Sequence, residues 1–373
     1  MASAYVPGLK VSRNTIIEKV RRLPMKGEVL VGEGDKVTAE TVVAKAEMPG
    51  MVRNVKVHAI LGCAEDEIVS KMIVKEGDEV EKGDIIARSS SFFGLLKSAC
   101  KANCSGTIDF ISPKTGNVGI RQASKPVTVT SYIDGTVGKV IPEEGVIVRT
   151  TGCLVQGIFG VGKERIAEVK VLCKKPDEVL TGDLITEECR GKIVVGGAGI
   201  TFDAIKKGID LGIAGMVSGA ITDSDIAEYL GYEIGVAITG EEDIPFTLII
   251  TEGFGSIPMN DRAFELLTSL DGKRVSMSGA TQIRAGVIRP EIIRAEENSA
   301  AAESEEEAST GTLEAGTRVR IIREPYFGMR GTVADLPAEA VVVESGAKVR
   351  VAAVKIESGE TVTVPRANLE LMF

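Results

Sequence analysis

A short phrase that occurs twice near the amino terminus constrains the fold more than any other feature of the sequence. Residues 31–44 read VGEGDKVTAETVVA and residues 74–87 read VKEGDEVEKGDIIA. Each copy contains a Gly-Asp turn, a valine predicted to face inward, a second turn and an apolar strand. These residues are Gly34, Asp35 and Val37 in the first copy and Gly77, Asp78 and Val80 in the second. Glycine adopts the positive φ of a tight turn without strain, and an Asp side chain can bond the backbone that follows it. The phrase therefore predicts two copies of one small β unit.

Two later segments have a similar sequence pattern. In each, a glycine precedes a β-branched strand, which is followed by a turn and a second strand. The segments are residues 105–121 and 132–149. Over residues 25–150 the pattern resembles the barrel-sandwich hybrid fold of biotinyl and lipoyl carrier domains. In that family a hairpin presents a modified lysine, and the usual neighbours of that lysine are absent around Lys97 and Lys101. The resemblance implies a biotinyl/lipoyl-like β domain that lacks the modified lysine and serves as a structural or docking module.

Residues 190–292 alternate β-prone runs with helical stretches, which is typical of an α/β domain. The predicted helices span 201–212, 222–231 and 260–272. Their predicted N-caps are Thr201, then Thr222 or Asp223, then Asn260, and the first two helices end at Gly212 and Gly231. In the first helix, Ile205 and Ile209 form the predicted apolar face. The predicted strands span 192–198, 213–221, 234–240 and 246–255, with two more between 273 and 289.

Two strand-to-helix junctions in this region are candidates for ligand binding. Glycines at the first junction are Gly196, Gly197 and Gly199, and Gly219 lies at the second, where Asp223 follows. A Gly-rich turn before a helix can bind a phosphate through free N–H groups. Glu252 is a further candidate because ligands bind at the carboxyl ends of strands in α/β sheets. The alternative is that these glycines only form tight turns, since neither GxGxxG nor GxxxxGK[ST] is matched.

The stretch AEENSAAAESEEEASTG at residues 295–311 contains no large apolar side chain. Because it cannot bury apolar surface and carries many like charges, it predicts a flexible acidic linker over residues 295–312.

Residues 313–373 begin LEAGTRVRIIREPYFGMRGTVADL, with Val319 and Ile321 alternating with basic residues and a PYFGMRG turn from Pro325 to Gly331. Gly316 and Val333 complete the pattern, which resembles the KOW motif of SH3-like barrels in the elongation factor NusG and several ribosomal proteins. The resemblance implies a small barrel that contacts RNA or protein. Further strands are predicted at 340–344, 348–356 and 360–365.

The predicted partner-binding or RNA-binding residues lie on the first strand and loop of this segment. They are Arg318, Arg320, Arg323, Tyr326, Phe327 and Arg330. The arginines would form one basic edge beside the loop. Residues 313–373 carry eight positive and eight negative side chains, so the alternative is a solvated strand face with alternating charges. The two aromatic residues either contact a partner or pack beneath the loop.

The sequence contains few histidine or paired cysteine residues that could carry out catalysis or hold a metal. With one histidine in 373 residues and no Ser-His-Asp, Cys-His or HExxH arrangement, the sequence favours a non-enzymatic protein without a cofactor or bound metal. The six cysteines form no CxxC pair, which indicates reduced thiols. No apolar run is long enough to span a membrane, so we expect a cytoplasmic protein. The net charge of −9 argues against a surface that tracks a phosphate backbone.

The sequence therefore predicts a multidomain, β-rich α+β protein with four segments. Residues 1–150 form a barrel-sandwich hybrid-like β domain, 151–294 an α/β domain, 295–312 the linker and 313–373 a KOW-type SH3-like barrel. The favoured function is a scaffold or adaptor whose KOW module contacts a protein or RNA partner. The alternative is a protein or enzyme that binds a small phosphate-containing ligand at the Gly-rich turns.

Overall fold

The structure is a computed structural model that describes residues 9–91, 96–231, 244–281, 288–296, 313–321, 325–326, 328–342 and 348–371. The predicted strand at 234–240 and most of the predicted linker lie outside these residues, and so do Arg323 and Phe327. The chain is β-rich, with several sheets and a few short helices, as the sequence predicts.

The regular secondary structure in the first half of the chain is almost entirely strand. They are β1 (Val11–Arg22), β2 (Glu28–Val29), β3 (Lys36–Val37), β4 (Val42–Met48), β5 (Val52–Lys56), β6 (Glu79–Val80), β7 (Ile85–Ser91), β8 (Leu96–Lys101), β9 (Gly106–Ser112), β10 (Asn117–Arg121), β11 (Lys125–Thr130), β12 (Gly135–Ile141) and β13 (Gly145–Gln156). Two short helices, α1 (Val57–Leu61) and α2 (Ile68–Lys71), follow β5. Three small sheets have the orders β5-β10-β9-β6, β11-β4-β2 and β7-β8.

Both copies of the repeated phrase form the same turn. Gly34 has φ 89° and Gly77 has φ 90°, in the region that favours glycine. The Asp35 carboxylate accepts a hydrogen bond from the Gly32 N–H at 2.8 Å, and Asp78 accepts from the Lys75 N–H at 2.9 Å. The prediction that each Asp bonds the following backbone is therefore wrong in direction, because the acceptor reaches back three residues.

The two inward-facing valines of the repeat belong to different cores. Val37 packs with Val43, Tyr132 and Val148, whereas Val80 packs with Val55 and other residues between β5 and β10. Both valines are buried, as predicted. The two copies of the repeat therefore contribute to two separate apolar clusters.

The described residues of the central region form nine strands and three longer helices. The strands are β14 (Phe159–Val161), β15 (Arg165–Val171), β16 (Val179–Leu180), β17 (Ile193–Val195), β18 (Gly199–Ile200), β19 (Gly215–Ile221), β20 (Thr247–Phe254), β21 (Arg274–Ser278) and β22 (Glu291–Ala295). Strands β16 and β18 form a separate two-stranded sheet, and the other seven belong to one large sheet. The helices are α3 (Phe202–Leu211), α4 (Asp223–Leu230) and α5 (Asp261–Thr268), with single 3-10 turns at Gly182–Leu184 and Glu187–Cys189.

The helix caps agree with the sequence prediction. The Thr201 hydroxyl accepts a hydrogen bond from the Ala204 N–H, Thr222 accepts from the Asp225 N–H, and Asn260 accepts from the Arg262 N–H. The predicted apolar face of α3 is partly wrong. Ile205 is buried but Ile209 is 36% exposed, because Ala204, Gly208 and Leu211 form the rest of the buried stripe.

The large sheet has the order β14-β20-β19-β17-β15-β21-β22-β13-β12-β3, with β1 paired to β13. Strands β15, β17, β19 and β20 pair in parallel with one another, whereas β14 and β21 flank them as antiparallel partners of β20 and β15. The proposed domain boundary at residue 150 stays a prediction, and β13 crosses this position as one strand. Ala295 lies in β22, and the Glu296 N–H donates to the Thr151 carbonyl at 2.8 Å. The predicted linker therefore cannot begin before residue 297.

The last part of the chain forms its own sheet, which we call the C-terminal sheet. Its elements are β23 (Arg318–Ile321), β24 (Arg330–Asp335), β25 (Ala340–Val342), β26 (Lys348–Ile356), β27 (Thr361–Pro365), a 3-10 turn at Arg366–Asn368 and β28 (Leu369–Leu371). The order is β25-β26-β24-β23-β28, with β27 also paired to β26. Val319, Val333, Val354, Val362 and Leu369 belong to its core.

Candidate functional site: an ion cluster and a cationic groove

Glu252 lies near the carboxyl end of β20, where its side chain is only 2% exposed. One carboxylate oxygen accepts a hydrogen bond from the Asn260 N–H at 2.9 Å. The other accepts from the Arg320 guanidinium at 2.7 Å and also from Arg330. A buried carboxylate is costly unless it is paired and hydrogen-bonded, and these three donors provide that pairing. Glu252 thus joins the central region to the C-terminal sheet.

Arg320 extends this contact across the interface. Its side chain is 5% exposed, and it donates to the Thr251 carbonyl at 3.1 Å. Glu370 lies 3.6 Å from Arg320 and accepts from Arg289 at 2.6 Å. Burial raises the pKa of Glu370 and lowers the pKa of Arg289, although each charge partly offsets the shift of the other.

We call these five side chains the ion cluster: Glu252, Glu370, Arg289, Arg320 and Arg330. The cluster contains three arginines but only two carboxylates. Three guanidinium nitrogens, Arg289 Nη1, Arg320 Nε and Arg330 Nε, are buried and have no hydrogen-bond partner among the described residues. The cluster therefore carries surplus positive charge and unused donors.

Two glycines allow the backbones to approach beside the ion cluster. Gly253 has φ 148° and Gly328 has φ 81°. A Cβ added to Gly253 would lie 3.3 Å from the Cα of Gly328, which is tighter than ordinary contact. The C-terminal sheet therefore packs directly on the carboxyl end of β20, the place where ligands bind in many α/β sheets.

A groove opens on the C-terminal sheet next to the ion cluster, with a volume of about 310 Å³. We call it the cationic groove; it is lined by Arg318, Arg330, Gly331, Thr332, Lys355, Ile356, Glu357 and Gly359. Arg318 is the cross-strand neighbour of Thr332, and Thr332 is the neighbour of Lys355. These three residues are exposed and form one row across β23, β24 and β26. Arg330 borders both the groove and the ion cluster.

The predicted basic edge is divided between these two places. Arg318 and Arg330 line the groove, whereas Arg320 is buried against Glu252 and Arg330 shares that carboxylate. Tyr326 is half-buried and packs against the core of the C-terminal sheet. Arg323 and Phe327 lie outside the described residues, so their predicted role stays a prediction.

The Gly-rich turns come together, but the chain fills the space in front of them. A Cβ on Gly197 would lie 2.5 Å from the Glu178 carbonyl oxygen, and one on Gly219 would overlap the Ile257 carbonyl. The Gly196 N–H donates to Val217, and the Gly219 N–H donates to Gly197. A phosphate cradle requires outward-pointing N–H groups, and these two are already used.

Two other predicted ligand residues, Gly199 and Asp223, lie in or next to the same two junctions. Gly199 is in β18, with its nearest neighbour 4.0 Å from an added Cβ. Asp223 is the first residue of α4, and the structure does not describe its side chain. A ligand role for these residues and for Glu252 stays a prediction.

Sequence reasoning missed Thr332, Lys355 and Glu357 in the groove, and Arg289 and Glu370 in the cluster. Glu370 alternates with the buried Leu369 and Leu371, a pattern that predicts a solvent-facing charge. Nothing in the neighbouring sequence indicates that another part of the protein covers the face of β28 on which Glu370 lies.

A scan against protein-family models finds no match, and a search of curated proteins finds none either. Within the described ranges, no helix is long and apolar enough to cross a membrane. The same residues contain no group of three or more His, Cys, Asp or Glu side chains that could hold a metal ion.

Proposed function

We propose that the protein is a non-enzymatic adaptor whose C-terminal KOW-type, SH3-like barrel contacts a protein partner. In this proposal residues 1–150 are a barrel-sandwich hybrid-like docking module, 151–294 an α/β body and 297–312 an acidic linker. The barrel corresponds to residues 313–373 and rests on the body through the ion cluster. Domains joined by contacts between charged side chains commonly move relative to one another, which suits an adaptor.

The observation that carries the proposal is the outer strand of the C-terminal sheet. Strand β25 pairs with β26 and, among the described residues, with no other strand. It exposes two consecutive valines, Val341 at 46% and Val342 at 64%. An edge strand with exposed apolar side chains is a template for pairing with an extended segment of another protein.

Protein is favoured over RNA because this edge is apolar. An RNA partner, the other class that the sequence predicts, would use the cationic groove instead. The alternative function, phosphate binding at the Gly-rich turns, has less support because backbone carbonyls occupy the space in front of Gly197 and Gly219.

The proposal is tested by affinity capture with the full chain from its native extract, treated with ribonuclease. We expect a stoichiometric protein partner that is lost from the variants Val341→Lys and Val342→Lys, since a charge on the edge blocks strand addition. Val179→Lys is the matched control, because Val179 is an exposed valine in β16, which does not belong to the C-terminal sheet. Retention of the partner by both β25 variants, or its loss on ribonuclease treatment, would contradict the proposal.

A further inference from the structure

The ion cluster and the cationic groove together contain more positive than negative charge. Five cations, Arg289, Arg318, Arg320, Arg330 and Lys355, face three carboxylates, Glu252, Glu357 and Glu370. Three of these cations, Arg289, Arg320 and Arg330, are buried or half-buried, where water screens their mutual repulsion poorly. The arrangement therefore favours an anion that supplies about two negative charges.

The groove also has the donors that such an anion needs. Arg330 reaches it from the ion cluster, and the Nε of Arg330 is buried without a hydrogen-bond partner in the part of the chain that is described. Arg318, Thr332 and Lys355 are cross-strand neighbours along the same wall. Arg318, Arg330, Thr332 and Lys355 thus line one groove of about 310 Å³.

We propose that the cationic groove binds a phosphate group carried by a small molecule. A phosphate monoester carries about −1.5 to −2 charges at neutral pH, which matches the surplus of the cluster and groove. Planar guanidinium groups bind phosphate oxygens with two parallel hydrogen bonds, so two arginines favour this anion over a single carboxylate.

The distribution of charge opposes a long polyanion at this site. A nucleic-acid track neutralises many phosphates along a surface, whereas these cations are confined to one groove of about 310 Å³ and the ion cluster beside it. Residues 313–373 carry equal numbers of positive and negative side chains, and the whole chain has a net charge of −9. The site is therefore suited to one phosphate-bearing group.

This site is distinct from the exposed edge of β25. None of the groove residues lies in β25, so phosphate binding and partner capture can fail independently.

The test is isothermal titration calorimetry of the full chain with inorganic phosphate and, separately, with pyrophosphate. We expect one site per chain. Lys355→Gln and Arg318→Gln should each weaken binding about tenfold or more, the loss typical of one charge-assisted contact. Arg350→Gln is the matched control, because Arg350 is an exposed cation of the same strand β26 outside the groove. It should change the affinity less than about twofold, as expected for a screened surface charge.

Glu357→Gln gives a result that damage to the fold cannot imitate. It removes the single carboxylate among the groove-lining residues, so binding should become tighter, by about threefold if one partly screened repulsion is lost.

Three outcomes would overturn the inference. One is the absence of binding heat with both anions, and another is equal weakening by Arg350→Gln and Lys355→Gln. The third is binding of a single-stranded RNA oligonucleotide with a steep salt dependence while neither small anion binds, which would assign the groove to a polyanion.

Discussion

Replacing Glu252 by Gln should release the C-terminal sheet from the central region. The substitution keeps the size of the side chain and one amide oxygen, which can still accept from the Asn260 N–H. It removes the charge that pairs with Arg320 and Arg330, and leaves three arginines with one carboxylate, Glu370.

The magnitude follows from the burial of the pair. Glu252 is 2% exposed and Arg320 is 5% exposed, so solvent screens neither charge. Breaking a buried ion pair by removing one partner typically costs about 3–5 kcal/mol. Because Gln retains an acceptor, we expect about 3 kcal/mol, which corresponds to a dissociation constant roughly 150-fold weaker.

A nicked chain measures this change directly. A protease recognition sequence is placed within residues 297–312, the chain is cleaved there, and the dissociation constant of the two fragments is determined by fluorescence anisotropy. Glu28→Gln is the control, because Glu28 pairs with Lys45 at 3.0 Å with both side chains more than half exposed. Such a surface pair should alter the dissociation constant less than about twofold.

If Glu252→Gln weakened the association less than about threefold, or no more than Glu28→Gln did, the ion cluster would make no net contribution to docking, as some buried ion pairs do not.

Three further predictions concern the body of the protein. Gly197→Ala should destabilise the chain by about 2–3 kcal/mol in urea unfolding, because the new methyl group overlaps a backbone carbonyl, whereas Gly199→Ala should change stability by less than about 1 kcal/mol. Burial raises the pKa of Glu291, so the folded state holds its proton more tightly than the unfolded state does. This contribution to stability is present below the ordinary carboxyl pKa and is lost as pH rises through the folded value. The melting temperature of Glu291→Gln should therefore rise relative to that of the unsubstituted protein as pH increases between about 4 and 7. A difference in melting temperature that does not change with pH would contradict this. Burial raises the pKa of the Cys173 thiol to about 11, so iodoacetamide at pH 8 should alkylate it far more slowly than the half-buried Cys63, as mass spectrometry would show; equal rates would contradict it.

Local features of the fold could be predicted from the sequence because their partners are near in the chain. Each N-cap side chain accepts a hydrogen bond from a backbone N–H two or three residues away. Thr201, Thr222 and Asn260 therefore predict where their helices begin. The turns of the repeated phrase are equally local. Their glycines predict the positive φ without knowledge of any other segment, although the prediction for the direction of the Asp hydrogen bond is wrong.

The ion cluster could not be predicted in this way. Its hydrogen bonds join residues 68 to 81 positions apart, and no pattern within a strand specifies which sheet faces which. Arg320 illustrates the difficulty. It alternates with inward-facing apolar residues and has the pattern of a solvent-facing cation, yet the body covers it. Arg318, two positions earlier on the same face, remains exposed.

That pair of arginines reports directly on whether the C-terminal sheet is docked on the body through the ion cluster. The measurement is the rate at which phenylglyoxal modifies each arginine in the native full chain, read by tandem mass spectrometry. Docking predicts rapid modification of Arg318 and strong protection of Arg320. Equal rates at the two positions would show that the face of β23 is open to solvent, and would contradict the account.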